Sequence, residues 1–91
     1  MCYKGGEDGM LLKYESKAQA GQQLSFTAFD FVGPAHLTVH IGAELVAVRE
    51  CASSPCQGTV FIPAESAGRI LSIFAEDDSR SAAQLSMRVA G

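Results

Sequence analysis

The sequence predicts an all-β fold in which seven antiparallel strands form two sheets around one shared core. Three observations support this prediction. Apolar and polar residues alternate with a period of two over segments of four to eight residues, as in strands with one buried face. Residues that favour turns recur at short intervals between these segments. The chain has no apolar stripe at helical spacing.

The alternation places the strands in order along the chain. We expect them at residues 10–15, 22–30, 36–41, 45–49, 59–62, 69–76 and 82–89. Within each strand the core-facing residues share one parity, as in Leu24, Phe26 and Ala28; Leu37, Val39 and Ile41; Val60 and Ile62; and Leu85, Met87 and Val89. Turn signals separate the strands, among them Gly33-Pro34 and the Ser-Arg-Ser tip at residues 79–81.

Two of the predicted strands repeat one sequence frame. Residues 21–30 and 68–77 both have the pattern Gly-x-x-Leu-Ser-(apolar)-x-Ala-x-Asp, 47 positions apart. In each copy the glycine supplies a tight entry, the apolar residues fill the core, and the aspartate accepts backbone hydrogen bonds at the exit turn. The repeat predicts two equivalent central strands, one in each sheet.

This frame resembles the bacterial immunoglobulin-like domains that occur as modules of secreted and surface proteins. The residues that carry the resemblance are Gly21, Leu24, Phe26, Ala28 and Asp30; Leu37, Val39, Ile41 and Gly42; Leu45, Ala47 and Arg49; Pro63, Ala64, Gly68, Leu71, Ile73, Ala75 and Asp77; and Leu85, Met87 and Val89. It implies a seven-stranded antiparallel immunoglobulin-like β-sandwich over residues 10–91, after a flexible linker over residues 1–9. The central strands have no cysteine pair and the third strand has no tryptophan, so antibody-like recognition is not implied.

Composition excludes two classes of function. The net charge is −3, and no basic run is interleaved with aromatic residues, so the chain has no electrostatic feature for nucleic acid. No apolar run approaches the roughly 18 residues that a transmembrane helix needs. The first residues do not have the pattern of a signal peptide, which leaves a cytosolic chain or a mature piece of an exported protein.

Cys51 and Cys56 enclose Ala-Ser-Ser-Pro. A catalytic redox pair favours Cys-x-x-Cys beside a βαβ unit, which this chain lacks. A structural zinc site needs four ligands, but His36 and His40 on one strand would lie about 13 Å apart, so at most one could join the cysteines. We therefore predict a disulfide between Cys51 and Cys56, a bond that persists in oxidising compartments. Related modules also carry a Cys-x-x-x-Pro-Cys loop at this position, which this stretch resembles.

Cys2 is left over from this pairing. It is a candidate free thiol near the terminus, a candidate lipid-modified residue that anchors the chain to a membrane, or a candidate for an intermolecular disulfide. These three alternatives stay open.

Several side chains are candidates for a binding surface. His36, Thr38 and His40 share one face of the third strand, as an exposed polar stripe or as a partner surface. Phe29, Phe31 and Phe61 fall opposite the core residues of their strands and would form an apolar patch if exposed together. In the alternative interpretation, Phe29 and Phe31 cap the end of the sandwich, and Phe61 packs one residue out of register.

Acidic residues collect at the exits of the two repeated strands. Asp30, Asp77 and Asp78, with Glu76, are weak candidates for calcium ligands, although acidic turn residues are usually solvated caps. No cofactor is implied.

These observations predict a non-catalytic module of an exported bacterial protein, located outside the cell, on its surface or in the periplasm. No Gly-x-Ser-x-Gly elbow or other activating context for Ser, His and Asp occurs. Such a module would act as a spacer, in adhesion, or in docking neighbouring domains, a surface protein or a glycan. The alternative is a small periplasmic metal-binding protein that uses Cys2, a histidine and the acidic turns.

Overall fold

The described residues of the protein form strands, one 3₁₀ turn and the loops that join them. The computed structural model describes residues 2–5, 10–15, 17–78 and 81–91. The strands are β1 (Cys2–Gly5), β2 (Leu11–Tyr14), β3 (Ala18–Gln19), β4 (Gln23–Phe29), β5 (Ala35–Ile41), β6 (Glu44–Cys51), β7 (Cys56–Phe61), β8 (Ile70–Asp77) and β9 (Ala82–Ala90), with the 3₁₀ turn at Ala64–Ser66. In the described ranges, no helix is both long and apolar enough to cross a membrane.

The strands form two sheets. The first has the order β1-β2-β4-β7, and the second has the order β3-β9-β8-β5-β6. All pairs in the first sheet are antiparallel. In the second sheet β3 pairs with β9 in parallel, and the other pairs are antiparallel. The chain crosses between the sheets from β2 to β3, from β3 to β4, from β4 to β5, from β6 to β7 and from β7 to β8.

Each of the seven predicted strands has a counterpart in β2 or in β4 to β9. The prediction of a wholly antiparallel set of seven was wrong in two respects, because β1 and β3 are additional strands and β3 is parallel to β9. Neither β1 nor β3 can be found by searching the sequence for alternation. β1 is specified by its backbone pairing with β2, and β3 has only two residues.

The predicted linker over residues 1–9 overlaps a strand. Cys2–Gly5 forms β1, which runs antiparallel to β2, with Cys2 opposite Tyr14 and Gly5 opposite Leu11. Residue 1 and residues 6–9 lie outside the described ranges, as do residues 79–80 of the predicted hairpin tip.

One hydrophobic core joins the two sheets. The first sheet contributes Leu12, Leu24, Phe26, Ala28 and Val60, and the second contributes Leu37, Val39, Ile41, Leu71, Ile73, Ala75, Ala83, Leu85 and Val89. These residues follow the predicted parity in β4, β5, β7 and β8. The alternation therefore identified which face of each central strand is buried.

The two repeated frames occupy one strand in each sheet, as predicted. β4 lies in the first sheet and β8 in the second, and their Leu-x-(apolar)-x-Ala residues are all buried. The copies differ at the final aspartate. The carboxylate of Asp77 is buried and accepts hydrogen bonds from the backbone N–H groups of Ser81 at 2.9 Å and Val32 at 3.3 Å. Asp30 is exposed, has a φ of 62°, and donates its backbone N–H to Ser54 Oγ at 3.0 Å.

A disulfide links the two sheets. Cys51 ends β6 and Cys56 begins β7, and the bond between them joins Cα atoms that are 5.9 Å apart. β6 and β7 each stand at one end of the strand order of their sheet. The predicted disulfide is thus confirmed, and it lies where the chain crosses between sheets. Arg49 Nε adds a polar link by donating to the Gln57 carbonyl at 3.2 Å.

Candidate functional site

The outward side of the five-stranded sheet carries the strongest candidate for a functional surface. Because the inward positions of β5, β8 and β9 fill the core, the alternate positions point to solvent. We call this surface the apolar face. It consists of His36, Thr38 and His40 on β5; Leu45, Val48 and Glu50 on β6; Ile70, Ser72, Phe74 and Glu76 on β8; and Gln84, Ser86 and Arg88 on β9.

The apolar face holds most of the exposed large hydrophobic side chains. Six such side chains are exposed in the part of the chain that the structure describes, and four of them lie on this face. The four are Leu45, Val48, Ile70 and Phe74, with exposures of 52%, 50%, 41% and 37%. The other two, Val32 and Phe61, lie elsewhere. Exposed apolar residues scattered singly need no explanation, but a contiguous group of them indicates an interaction surface.

Strand register brings these apolar residues together. Thr38 on β5 lies between its pairing partners Val48 on β6 and Phe74 on β8. The neighbouring residue on this side, His40, lies between Leu45 and Ser72. Opposite residues in neighbouring strands lie about 5 Å apart, within reach of one another. Val48, Phe74 and Leu45 are therefore direct neighbours of Thr38 or His40, and Ile70 follows on the same side of β8, two positions from Ser72.

A shift in register turns Leu45 outward. Ala47 pairs with the buried Val39, and the next pair along the strands is Leu45 with His40, so the pairing skips Val46. In a regular strand, Leu45 would point to the same side as Ala47. The extra residue reverses this direction and places Leu45 beside Val48 on the apolar face.

Charged groups lie at opposite ends of the apolar face. At one end His36 stands between Glu50 on β6 and Glu76 on β8, and its Nδ1 contacts Glu50 Oε1. At the other end Arg88 on β9 pairs with Ile70. The Arg88 guanidinium donates one hydrogen bond to the Gly68 carbonyl at 2.9 Å. The face thus has an acidic end, an apolar middle and a basic end.

The predicted polar stripe coincides with the centre of this face. His36, Thr38 and His40 share one side of β5, as the alternation indicated, with His36 exposed and the other two half-buried. Hydroxyl groups continue the polar positions across the sheet, since Ser72 Oγ and Ser86 Oγ are hydrogen-bonded at 3.1 Å. Binding through these residues stays a prediction.

The three phenylalanines do not form one exposed patch, and that prediction was wrong. Phe31 is 6% exposed and belongs to the core, Phe29 is half-buried, and Phe61 is 56% exposed. Phe31 follows Asp30, whose left-handed backbone ends the alternation of β4 and turns the next residue inward. The alternative position for Phe61, inside the core, was also wrong, because Val60 and Ile62 on either side of it are buried.

The candidate metal ligands are not brought together. No group of three or more His, Cys, Asp and Glu side chains suited to a metal ion occurs in the ranges that the structure describes. The carboxylate of Asp77 is occupied by the backbone of the β8–β9 turn and by Val32. Asp30 and Asp78 are exposed, and the Asp78 backbone N–H donates to the Pro34 carbonyl at 3.2 Å. Cys2 lies in β1 opposite Tyr14, and its lipid modification stays a prediction.

Two shallow depressions lie away from the centre of the apolar face. One, of about 450 Å³, is lined by Tyr14, Gln84, Leu85 and Ser86. The other, of about 240 Å³, lies on the first sheet between Lys13, Tyr14, Ser25, Phe26, Thr27 and Gln57. The described residues that line them include no histidine, cysteine or carboxylate.

The sequence prediction missed the four apolar residues of this face. A signal for two of them was present in the repeated frame: Ile70 and Phe74 stand where the first copy has Gln23 and Thr27. Those are outward positions in both strands, so apolar residues there indicate exposed apolar side chains on β8 but not on β4. Val48 and Leu45 gave no such signal, because the register shift in β6 disturbs the alternation.

Comparison with known proteins gives no relative from which a function could be transferred. No family model matches the sequence, and neither a curated protein nor a solved structure matches it. The resemblance to immunoglobulin-like domains therefore stays an interpretation of the sequence, and the geometry of the chain carries the functional argument.

Proposed function

We propose that this chain is a non-catalytic, immunoglobulin-like module of an exported bacterial protein, and that it docks a protein partner through its apolar face. The concentration of exposed apolar side chains on one side of one sheet carries the proposal. Burial of apolar surface stabilises a complex by about 25 cal/mol per Å². Covering this face with a partner would therefore be favourable.

The distribution of strands between the sheets supports the immunoglobulin-like part of the proposal. Counted in the predicted set of seven, the first, second and fifth strands (β2, β4, β7) share one sheet. The third, fourth, sixth and seventh (β5, β6, β8, β9) share the other, with the third and sixth adjacent. Immunoglobulin domains divide their strands in a similar way, with the A, B and E strands facing the C, F and G strands.

The disulfide supports export. Cys51 and Cys56 are both at least nine-tenths buried and bonded to each other. Disulfides form and persist in oxidising compartments, whereas cytosolic thiols are kept reduced. A module that relies on this bond is suited to the periplasm, the cell surface or the medium.

The chemistry of the apolar face favours a protein partner over a glycan. Phe74 is the one Phe, Tyr or Trp side chain among the residues of this face, and the chain contains no Trp. Sugar rings are usually held by stacking on aromatic side chains beside polar groups, and aliphatic side chains such as those of Leu45, Val48 and Ile70 make poor stacking platforms. These aliphatic side chains fit the apolar centre of a protein interface with a polar rim. The open form of the face also favours docking over catalysis, because catalytic sites are usually concave.

Cysteine labelling in the cells that naturally produce the chain tests the proposal. In a Cys2→Ser background, Gln84→Cys would put one reactive thiol on the apolar face, next to Phe74. Gln23→Cys would put the same thiol on the outward side of the first sheet, as a matched control. We expect a membrane-impermeant maleimide to label Q23C at least 5-fold faster than Q84C in its native setting. The purified chain at low concentration should label equally at both positions.

Equal labelling of the two variants in the native setting would contradict the proposal, because a docked face excludes the reagent. Protection of Q23C alone would show that the partner covers the first sheet, and this result would also contradict the proposal. The comparison with purified chain separates protection by a partner from a difference in intrinsic thiol reactivity.

A further inference from the structure

We infer that the partner of the apolar face is a second copy of this chain, packed face to face with its strands antiparallel, so that Arg88 on β9 of each copy lies at the level of Glu76 of the other, one strand away and within reach of it. The inference rests on the proposed docking function and names its partner. It is carried by the order of charges and apolar groups along β8 and β9.

The apolar face is charged with opposite sign at its two ends. Glu76 pairs with Ala82 at one end of the β8–β9 ladder, and Arg88 pairs with Ile70 at the other. Glu76 lies six positions from Ile70 along β8, which corresponds to about 20 Å of extended chain. Glu50 adds to the acidic end through its place beside His36.

This order of charges makes the face complementary to itself. Consider two copies related by a two-fold axis that lies in the plane of contact, perpendicular to the strands. The strands of the two copies then run in opposite directions, and each strand lies over the same strand of the other copy. The acidic end of each copy then covers the basic end of the other, and the Arg88–Glu76 contact forms twice, as in any isologous dimer. A parallel arrangement would instead place glutamate over glutamate, which is unfavourable.

The same operation matches the apolar groups. The residues paired with Thr38 form one row, or level, across the sheet, and those paired with His40 form the next. If the axis passes midway between these two levels, each level of one copy lies over the other level of the second copy. Val48, at the level of Thr38, then faces Leu45 of the partner subunit, at the level of His40. Phe74 lies one position from the axis on β8, faces Ser72 of the partner subunit and packs near its own symmetry mate. Ile70 lies outside this middle and faces Glu76 of the partner subunit.

The size of the molecule fits a weak dimer of this kind. Its Cα atoms span 36 × 21 × 18 Å, so a broad side has a projected area of roughly 750 Å². Specific interfaces bury about 800 Å² per partner, and smaller ones belong to weak complexes. Because one sheet covers only part of that side, we expect an interface at the small end of this range.

Pairing of two copies through the edge of β6 is the less favourable alternative. The register shift at Val46 interrupts the outer edge of this strand, and such shifts hinder pairing with a further strand. The flat side of the sheet has no such interruption.

Exchange of the two charges tests the inference by sedimentation equilibrium over 10 µM to 1 mM protein. We expect the unmodified chain to dimerise, and E76R and R88E alone to dimerise at least 10-fold more weakly, because each places like charges opposite one another. An equimolar mixture of E76R and R88E should form a heterodimer at least as tightly as the unmodified chain. Both contacts in that heterodimer again join opposite charges. E65R, which makes the same charge change in the 3₁₀ turn away from the face, is the matched control.

Three results would overturn the inference: an unmodified chain that stays monomeric to 1 mM, an E65R variant weakened as much as E76R, or a mixture that dimerises no better than its components. If circular dichroism shows that either reversal unfolds, E76Q and R88Q replace them, with a weakening of about 3-fold expected. A monomeric chain whose Q84C thiol is nevertheless protected in its native setting would refute the second copy and leave the docking function standing. A monomeric chain with an unprotected thiol would refute both.

Discussion

At Gly58 the absence of a side chain makes room for the ring of Phe26. A Cβ at this position would lie 2.7 Å from Phe26 Cζ and 2.9 Å from Cε2, well inside contact distance. Both residues are buried, and they are pairing partners in β4 and β7. The aromatic ring and the glycine therefore act as a unit that fills the core of the first sheet.

We expect Gly58→Ala to lower the free energy of unfolding by about 1–3 kcal/mol, because the added methyl group overpacks this part of the core. Denaturant unfolding of the purified chain measures the change. Phe26→Leu on its own should also destabilise the chain, by loss of packing. The double variant should be less destabilised than the sum of the two, because the smaller side chain relieves the overlap. Additive effects would contradict the contact.

Asp77 shows how a repeated residue acquires a role of its own. Its two carboxylate oxygens accept from Ser81 in the β8–β9 turn and from Val32 in the loop after β4. These bonds connect the turn of the second sheet to the exit of the first. Asp30, at the equivalent place in the first copy, instead contributes a left-handed backbone. The frame predicted an acceptor at both positions, but the surrounding loops decided which carboxylate is buried.

At the scale of elements, the disulfide between β6 and β7 closes the crossing from one sheet to the other. A bond across so short a loop stabilises chiefly by restricting the unfolded chain, and the expected contribution is about 2 kcal/mol. The bond also fixes the end of β6, the strand that carries Leu45 and Val48.

We expect the denatured, unreduced protein to have one free thiol, that of Cys2, and the reduced protein to have three. Reduction should lower the free energy of unfolding by about 2 kcal/mol. A C51A/C56A variant should have the stability of the reduced protein and should not respond to reductant. A count of three thiols without reductant would contradict the disulfide, and with it the argument for export.

Register accounts for the element-scale features that the sequence did not reveal. Alternation located β4, β5, β7, β8 and β9 because their buried residues follow a strict period of two. It did not locate β3, which has too few residues to alternate, or the skipped Val46 in β6. The direction of Leu45 depends on that skipped residue, so it could not be assigned before the pairing of β5 and β6 was known.

At the scale of the whole molecule, the separation of charge on the apolar face predicts that self-association depends on salt. Raising the ionic strength from about 50 to 500 mM should weaken dimerisation several-fold, because exposed charge pairs are screened over a few ångströms at high salt. Sedimentation equilibrium at both salt concentrations measures the effect. The E76Q/R88Q variant is the control, and its weaker association should change little with salt. A dimer that strengthens with salt would show that apolar contact alone holds it.

Local pattern alone identified the all-β class, the buried parity of the central strands, the repeat that puts one copy in each sheet, and the disulfide. These features are encoded in residues close together in the chain: a strand turns its side chains alternately to its two faces, and two cysteines five positions apart meet across a short loop.

The tertiary structure decided which exposed residues become neighbours. Leu45, Val48, Ile70 and Phe74 come from two strands that do not touch each other, and β5 between them sets their spacing. Such proximity arises from the pairing of distant segments, which alternation within a single strand does not specify.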